Sequence, residues 1–466
     1  MNNTSQSVLA NSFPAQPEPT ARIETQHRRI VTELPAPATV KRLADAARVF
    51  PRVNCYQPPI IWDRAEGYQV FDETGNCWID FSSTAVMTNT GHGHPEIREA
   101  LRRHVDEGLL AQFSFASDIR VQLAEKLLAV SPPGCEKVYF WTVGSEAIEC
   151  AFRLVCEWGL RSDPVKRHVL TFVGDYHGWT LGAHQLSGND AQKPWLPNAD
   201  DGIHHLSFPR LTAQTADYTD ADWRDCFDKQ IQQLADDGVS STEIAAVFIE
   251  TFQGWGALPL PVAFVQRMRE WADEQGVLLV FDEVQTGFGR TGKWFAHEHY
   301  GVRADLICVG KGVTSTLPLA AVLGPAEILD VLTPAEITTT HAAHPLSCAA
   351  ALANLRILEE EQLISEAARK GKIAREELEA LRARFPKHIS EISGTGLLFA
   401  IHVSDPSTGE PRVELAREWT WAAVKQGVML FQVNRSTLKV VPPLVIPDDA
   451  LVEGIHALGD ALETIA

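Results

Sequence analysis

Between Pro95 and Leu323 the chain alternates helical stretches with short, almost unbroken apolar runs. The runs are Lys137 to Trp141, Val169 to Val173, Ala245 to Glu250, Val277 to Phe281, Leu306 to Val309 and Leu319 to Leu323. A strand with one wet face alternates apolar and polar residues, whereas a continuous apolar run fits a strand covered on both faces. The pattern therefore predicts an α/β fold with a mainly parallel sheet flanked by helices. In such sheets functional groups gather beyond the carboxyl ends of the strands.

Outside this region the pattern changes. A short helical stretch from Lys41 to about Val53 stops at Tyr56-Gln57-Pro58-Pro59, and Gly67 to Phe81 alternates around a Thr-Gly-Asn turn as a β-hairpin does. After Pro345 come two long helical patterns, Leu346 to about Glu361 and Leu363 to Phe385, then short strands near Gly396 to His402 and Leu438 to Val441. These pieces predict a smaller α+β domain assembled from both chain ends. The expected division is a flexible N-terminal tail over 1–32, a small-domain segment over 33–90, a large domain over 91–345 and the rest of the small domain over 346–466.

The 466 residues allow a large core, and 45% hydrophobic with 22% charged residues is ordinary globular composition. A formal net charge of -19 argues against a nucleic-acid groove or an anionic membrane surface as partner, since either needs a concentrated basic face. Eight scattered cysteines without a CxxC pair fit reduced thiols in a cytoplasmic protein. The first thirty residues lack the basic start and apolar block of a secretory signal, and no run reaches the ~18 apolar residues of a membrane span.

Two charged residues close apolar runs. Asp282 follows Val277 to Phe281, and Lys311, 29 residues on, follows Leu306 to Val309 and Gly310. A lysine at a buried strand end is poorly placed as a surface charge, but its amine can form a Schiff base with a cofactor aldehyde. An aspartate on a neighbouring strand end can partner a protonated ring nitrogen. Those are the two groups that pyridoxal 5'-phosphate needs from a protein. Thr142-Val143-Gly144-Ser145-Glu146-Ala147 opens a helix after a strand, where free N–H groups and the Ser145 hydroxyl can hold a phosphate; Ser145 also reads as an ordinary N-cap. Asp175-Tyr176-His177-Gly178-Trp179 follows another strand, and Tyr176 there is either a stacking surface for a flat ring or a core aromatic. The pairs in His92-Gly93-His94 and His297-Glu298-His299 lack the further ligands of a zinc site, so no metal is expected.

Read with Phe281-Asp282-Glu283-Val284-Gln285-Thr286-Gly287-Phe288-Gly289-Arg290-Thr291-Gly292, these segments resemble class III (ω-type) PLP-dependent aminotransferases of fold type I over about residues 40 to 460. The resemblance implies that Lys311 anchors the cofactor and moves the substrate α-proton, while Asp282 pairs with the ring nitrogen. It implies further that Val284 and Tyr176 cover the two ring faces, that Gln285 meets the phenolic oxygen, and that Gly144 and Ser145 bind the phosphate. Glu250 matches a carboxylate near the ring, and Thr340 a threonine that reaches a phosphate across a dimer interface, so a homodimer is implied.

The match weakens toward the substrate. The glutamate-using branch carries an arginine after Tyr-His-Gly, where this chain has Trp179. The family's gating glutamate and arginine correspond to Trp255 and Lys439, and Tyr56 matches a substrate-contacting tyrosine. Two tryptophans remove bidentate carboxylate recognition and add flat surfaces. Lys439 reads equally as an anion-binding charge and as a solvated one. The expected activity is transfer of an amino group from a small amine or amino acid to an oxo acid, pyruvate or another, through an atypical pocket. The alternative is a lyase on the same scaffold that eliminates ammonia or phosphate from an amino alcohol phosphate or aminophosphonate.

Overall fold

The structure is a computed structural model that describes residues 13–51, 56–196, 201–212, 215–433 and 435–466. The chain divides into two compact units, Pro95–Ala368 and Met1–His94 with Arg369–Ala466.

The Pro95–Ala368 unit is built on a seven-stranded sheet: β1 (Lys137–Trp141), β2 (His168–Phe172), β3 (Ile203–Leu206), β4 (Ile244–Glu250), β5 (Leu278–Asp282), β6 (Leu306–Val309) and β7 (Ala320–Gly324). Its order is β1-β7-β6-β5-β4-β2-β3. Neighbours pair in parallel except β7, which runs antiparallel to both β6 and β1. Every residue of β4, β5, β6 and β7 is buried, as continuous apolar runs require. Six strands fall within a residue or so of their expected ends. The seventh, β3, went unpredicted because an Ile-His-His-Leu edge strand, partly exposed, has no apolar run to announce it.

A buried pair sets the central register at the end of the sheet away from Asp282. Arg269 Nη1 meets Asp305 Oδ2 at 2.6 Å, and the same oxygen accepts the Leu279 N–H at 2.8 Å. Asp305 immediately precedes β6 and Leu279 lies in β5, so the two strands start level and Asp282 comes opposite Cys308.

The division falls after Ala368, whereas the sequence pattern places it after Pro345. Helix Pro345–Glu360 packs against helices Pro95–Glu107 and Asp118–Val130, and it buries Cys348, Ala350, Ala351, Leu355 and Leu358 there. Its amphipathic pattern shows a core-facing helix without showing which core it faces.

In the other unit the expected hairpin is present, with Gln69–Phe71 antiparallel to Cys77–Asp80. The expectation of a free tail over 1–32 fails for its described part. Ile23–Glu24 pairs with Arg29–Ile30, Phe13 is buried beside Trp421, and Trp421 Nε1 donates to Glu18 Oε2 at 2.9 Å. Polar composition there decorates a segment tied down by a few apolar anchors. Residues 1–12 of that expected tail, and Val53 at the end of the expected helix, lie outside the described residues. The seven described cysteines are free thiols.

Candidate active site

Strands β1, β2, β4, β5 and β6 deliver the chemistry-bearing residues at their carboxyl ends. Asp282 closes β5 directly opposite Glu250, which closes β4. Asp282 Oδ1 accepts the Val284 N–H at 3.0 Å, and Oδ2 lies 2.8 Å from His177 Nδ1. With an acceptor on that side, Nδ1 is the nitrogen that donates. Both side chains are almost completely buried. Glu250 is held as firmly: Oε2 accepts the Tyr176 N–H at 2.7 Å and Oε1 the Gly254 N–H at 3.1 Å. Burial pushes its carboxyl up to about 8, with the nearby Asp175 adding to the rise.

Lys311 begins the short helical turn after β6, with its backbone in the left-handed region at φ +41°. That conformation costs a non-glycine residue about 1–2 kcal/mol. Asn354, on helix Pro345–Glu360, secures the turn by donating to the carbonyls of Gly312 and Val313 at 2.9 and 3.0 Å. Burial lowers the Lys311 ammonium below its ordinary value, although the Asp282 and Glu250 charges pull the other way.

Close backbone approaches draw the five segments together. A Cβ at Gly144 would come within 2.8 Å of Val284 Cγ1, and one at Gly310 within 3.3 Å of the same atom. A Cβ at Gly178 would collide with Ser145 Oγ at 2.2 Å, and one at Gly254 with Gln285 Nε2 at 2.3 Å. Helix Gly144–Ser162 starts with Val143 as N-cap and no side-chain cap, so Ser145 is not the cap. The Gly144 and Ser145 N–H groups have no partner among the described residues.

Tyr176 is 41% exposed, which removes the core-aromatic reading. Its ring meets Trp179 edge-on at 5.8 Å. Trp179 is 58% exposed and leans on His184, which stacks in turn on Trp195. Trp255 donates its indole N–H to Gln253 Oε1 at 2.7 Å. Thr340 is exposed, while its neighbour Thr339 reaches Glu146 Oε1 at 3.4 Å. Tyr56 and Lys439 belong to the other unit. There Tyr56 is exposed, and Lys439 is buried on strand Thr437–Val440 opposite Ala400, which excludes its solvated reading.

His177 and Asp175 carry more of the geometry than the sequence suggested. His177 was visible only as the middle of a Tyr-His-Gly motif, and its partner Asp282 is 105 residues away. A histidine two residues after an aspartate, in the loop that follows strand His168–Phe172, is the one available signal.

The profile of aminotransferase class-III matches residues 52–462. The chain belongs to this family. A probable 4-aminobutyrate aminotransferase of Bacillus subtilis (strain 168) is 34% identical over 405 residues, covering 85% of this chain and 91% of that protein. A leucine/methionine racemase of Thermococcus litoralis is 30% identical over 426 residues, covering 90% and 94%. Among solved structures, an amine transaminase from an uncultivated Pseudomonas species in its PLP-bound form superposes with a TM-score of 0.81 at 27% identity, covering 87% and 95%. The class III aminotransferase is thus a pyridoxal-phosphate-dependent enzyme of fold type I that transfers amino groups.

The donor set fits that cofactor. An oriented carboxylate, a desolvated lysine amine, two N–H groups at a helix start without a partner among the described residues, and an exposed tyrosine ring all lie at the carboxyl end of one sheet. Among the described residues no group of three or more His, Cys, Asp or Glu could hold a metal, and no helix is long and apolar enough to cross a membrane.

Proposed function

We propose that this aminotransferase moves an amino group from a small amine or amino acid without a second carboxylate to a small oxo acid such as pyruvate, with Lys311 and Asp282 as catalytic residues. The observation that carries the reading is Asp282, fixed by His177 at 2.8 Å, at the strand end beside the one that delivers the desolvated Lys311. Trp179 and Trp255, in place of carboxylate-binding or gating groups, support the donor class, because neither offers a fork for a second carboxylate.

Bound pyridoxal phosphate supplies an aldehyde for the amine and a ring that accepts electrons from the substrate Cα. Lys311 Nζ would anchor the aldehyde and, released when the substrate amine takes its place there, would remove the α-proton; its lowered pKa favours the neutral amine that this step needs. Asp282 partners the ring nitrogen. Val284 and Tyr176 would hold the ring and Gln285 its phenolic oxygen, while Glu250 fixes the Tyr176 and Gly254 backbone. Gly144 and Ser145 offer their N–H groups to the phosphate.

The same reading includes a cytoplasmic homodimer in which Thr340 serves a phosphate of the partner subunit. Leu109, Leu110, Phe113 and Phe115 are all exposed on one loop, an apolar surface that a second copy would cover. Arg120 donates to the carbonyls of Phe115, Gln112, Ala342 and Ala343, tying that loop to the segment of Thr340.

A second reading is racemisation, favoured by the similarity to the archaeal racemase. One experiment separates the two. Incubated with L-alanine and no oxo acid, a transaminase yields pyruvate only up to one equivalent per site and resumes when an oxo acid is added. Accumulation of D-alanine beyond that equivalent, with no pyruvate, would replace transamination by racemisation. Release of ammonia or phosphate from an amino alcohol phosphate at many turnovers would restore the lyase alternative.

A further inference from the structure

We infer that Asp175 is a positioning residue for Asp282, acting through His177, and that Gln253 couples it to the indole of Trp255. The inference rests on the reading of Asp282 as the ring-nitrogen partner.

The His177 ring is fully buried between two aspartates. Nδ1 faces Asp282 Oδ2 at 2.8 Å, while Nε2 faces Asp175 Oδ2 at 3.9 Å and Thr171 Oγ1 at 3.4 Å. The backbone beneath it is pinned where the His177 N–H donates to Ser187 Oγ at 2.9 Å. The ring therefore has one orientation, and the remaining freedom is where its hydrogens sit. An ionised Asp175 sets a negative charge 3.9 Å from Nε2. A protonated Asp175 leaves Nε2 free to accept from Thr171. The charge on Asp175 is in this way transmitted across the imidazole to the Nδ1–Asp282 bond.

Asp175 itself is oriented by two donors. Oδ1 accepts Gln253 Nε2 at 2.8 Å and Oδ2 accepts the Glu250 N–H at 3.2 Å. Gln253 has no freedom to flip: Nε2 also donates to the Val173 carbonyl at 3.0 Å, and Oε1 accepts the Trp255 indole N–H at 2.7 Å. Reversing the amide would set oxygen against two acceptors and nitrogen against a donor. A continuous path thus runs from Trp255 through Gln253, Asp175 and His177 to Asp282. The other charged groups around Asp175 are Asp282 on β5, Glu250 on β4 and, beside those two, Lys311 after β6. Burial pushes the Asp175 carboxyl up to about 8, so its charge changes within the range where such an enzyme is assayed.

The test uses the holoenzyme and follows its visible absorbance against pH without substrate. Asp282→Asn, the control for the underlying reading, should alter both the spectrum and its pH dependence. Asp175→Asn should lower the spectral midpoint by about one pH unit, because the negative charge that Asp175 gains as the pH passes about 8 is gone. Trp255→Phe should move it less, in the same direction. An Asp175→Asn midpoint equal to wild type, with Asp282→Asn displaced, overturns the inference and leaves the reading of Asp282 standing. An unmoved Asp282→Asn overturns both. Should Asp175→Asn fail to fold, nitrogen-15 shifts of the His177 ring in the wild-type protein decide: hydrogen on Nδ1, with the ring resonances moving as the pH crosses about 8, is expected. Hydrogen confined to Nε2, or resonances unmoved through that pH, overturns it.

Discussion

The strand ends and the aromatic rim beyond them are neighbours in sequence and opposites in construction. At the strand ends all six carboxylate oxygens of Asp175, Glu250 and Asp282 have hydrogen-bond partners, and all three residues are buried. At the rim Tyr176, Trp179 and Trp195 are exposed and are linked through ring contacts that include His184. Both nitrogens of His184 are buried there without a partner among the described residues. Satisfied buried carboxylates tolerate little change, since each lost partner strands a polar atom. Ring contacts exchange more freely. The difference teaches which half of the site fixes the reaction and which half is free to choose the substrate.

Breaking the rigid half should cost most. Lys311→Ala removes the anchor and the proton carrier together, so turnover should fall by at least about 10⁴, measured in a coupled transaminase assay. Asp282→Asn should cost about 10²–10³ in kcat by weakening the ring-nitrogen partner, with donor KM changed far less. His177→Phe keeps a flat ring but leaves Asp282 Oδ2 without its His177 partner, and about 10- to 100-fold in kcat or cofactor affinity should be lost. At the rim the effect should be a change of preference. Trp179→Arg should raise kcat/KM for a dicarboxylic donor about tenfold relative to an apolar amine, because a guanidinium fork replaces a flat wall.

A separate effect is on the pH dependence of stability. The Asp175 and Glu250 carboxyls are raised to about 8 in the folded state. Unfolded, they release their protons near pH 4. The folded protein therefore holds extra protons between those limits, and its stability should fall as pH rises from about 4 to about 8 and level off above. Denaturant unfolding of the apoprotein should show this slope, and Asp175→Asn should flatten it.

The same contrast explains what was legible in the sequence. Lys311, Asp282 and Gly144 follow apolar runs, and a buried strand announces its own end. The edge strand Ile203–Leu206 has no such run and was missed. His177 and Asp175 hold their partners across 105 and 75 residues, and pairings of that kind are created by strand order, which composition does not carry. The boundary was misplaced for a related reason: helix Pro345–Glu360 shows an apolar face, but only packing reveals that Asn354 on it secures the Lys311 turn. At the rim the sequence shows that arginine is absent after Tyr-His-Gly; what the tryptophans recognise depends on the shape they present.

Borohydride reduction of the holoenzyme, followed by peptide mass spectrometry, tests the central claim most directly. The account predicts one pyridoxyl adduct per chain, on the peptide that contains Lys311, and none in Lys311→Ala. An adduct on a different lysine, or none at all in a protein that retains bound cofactor, would contradict it.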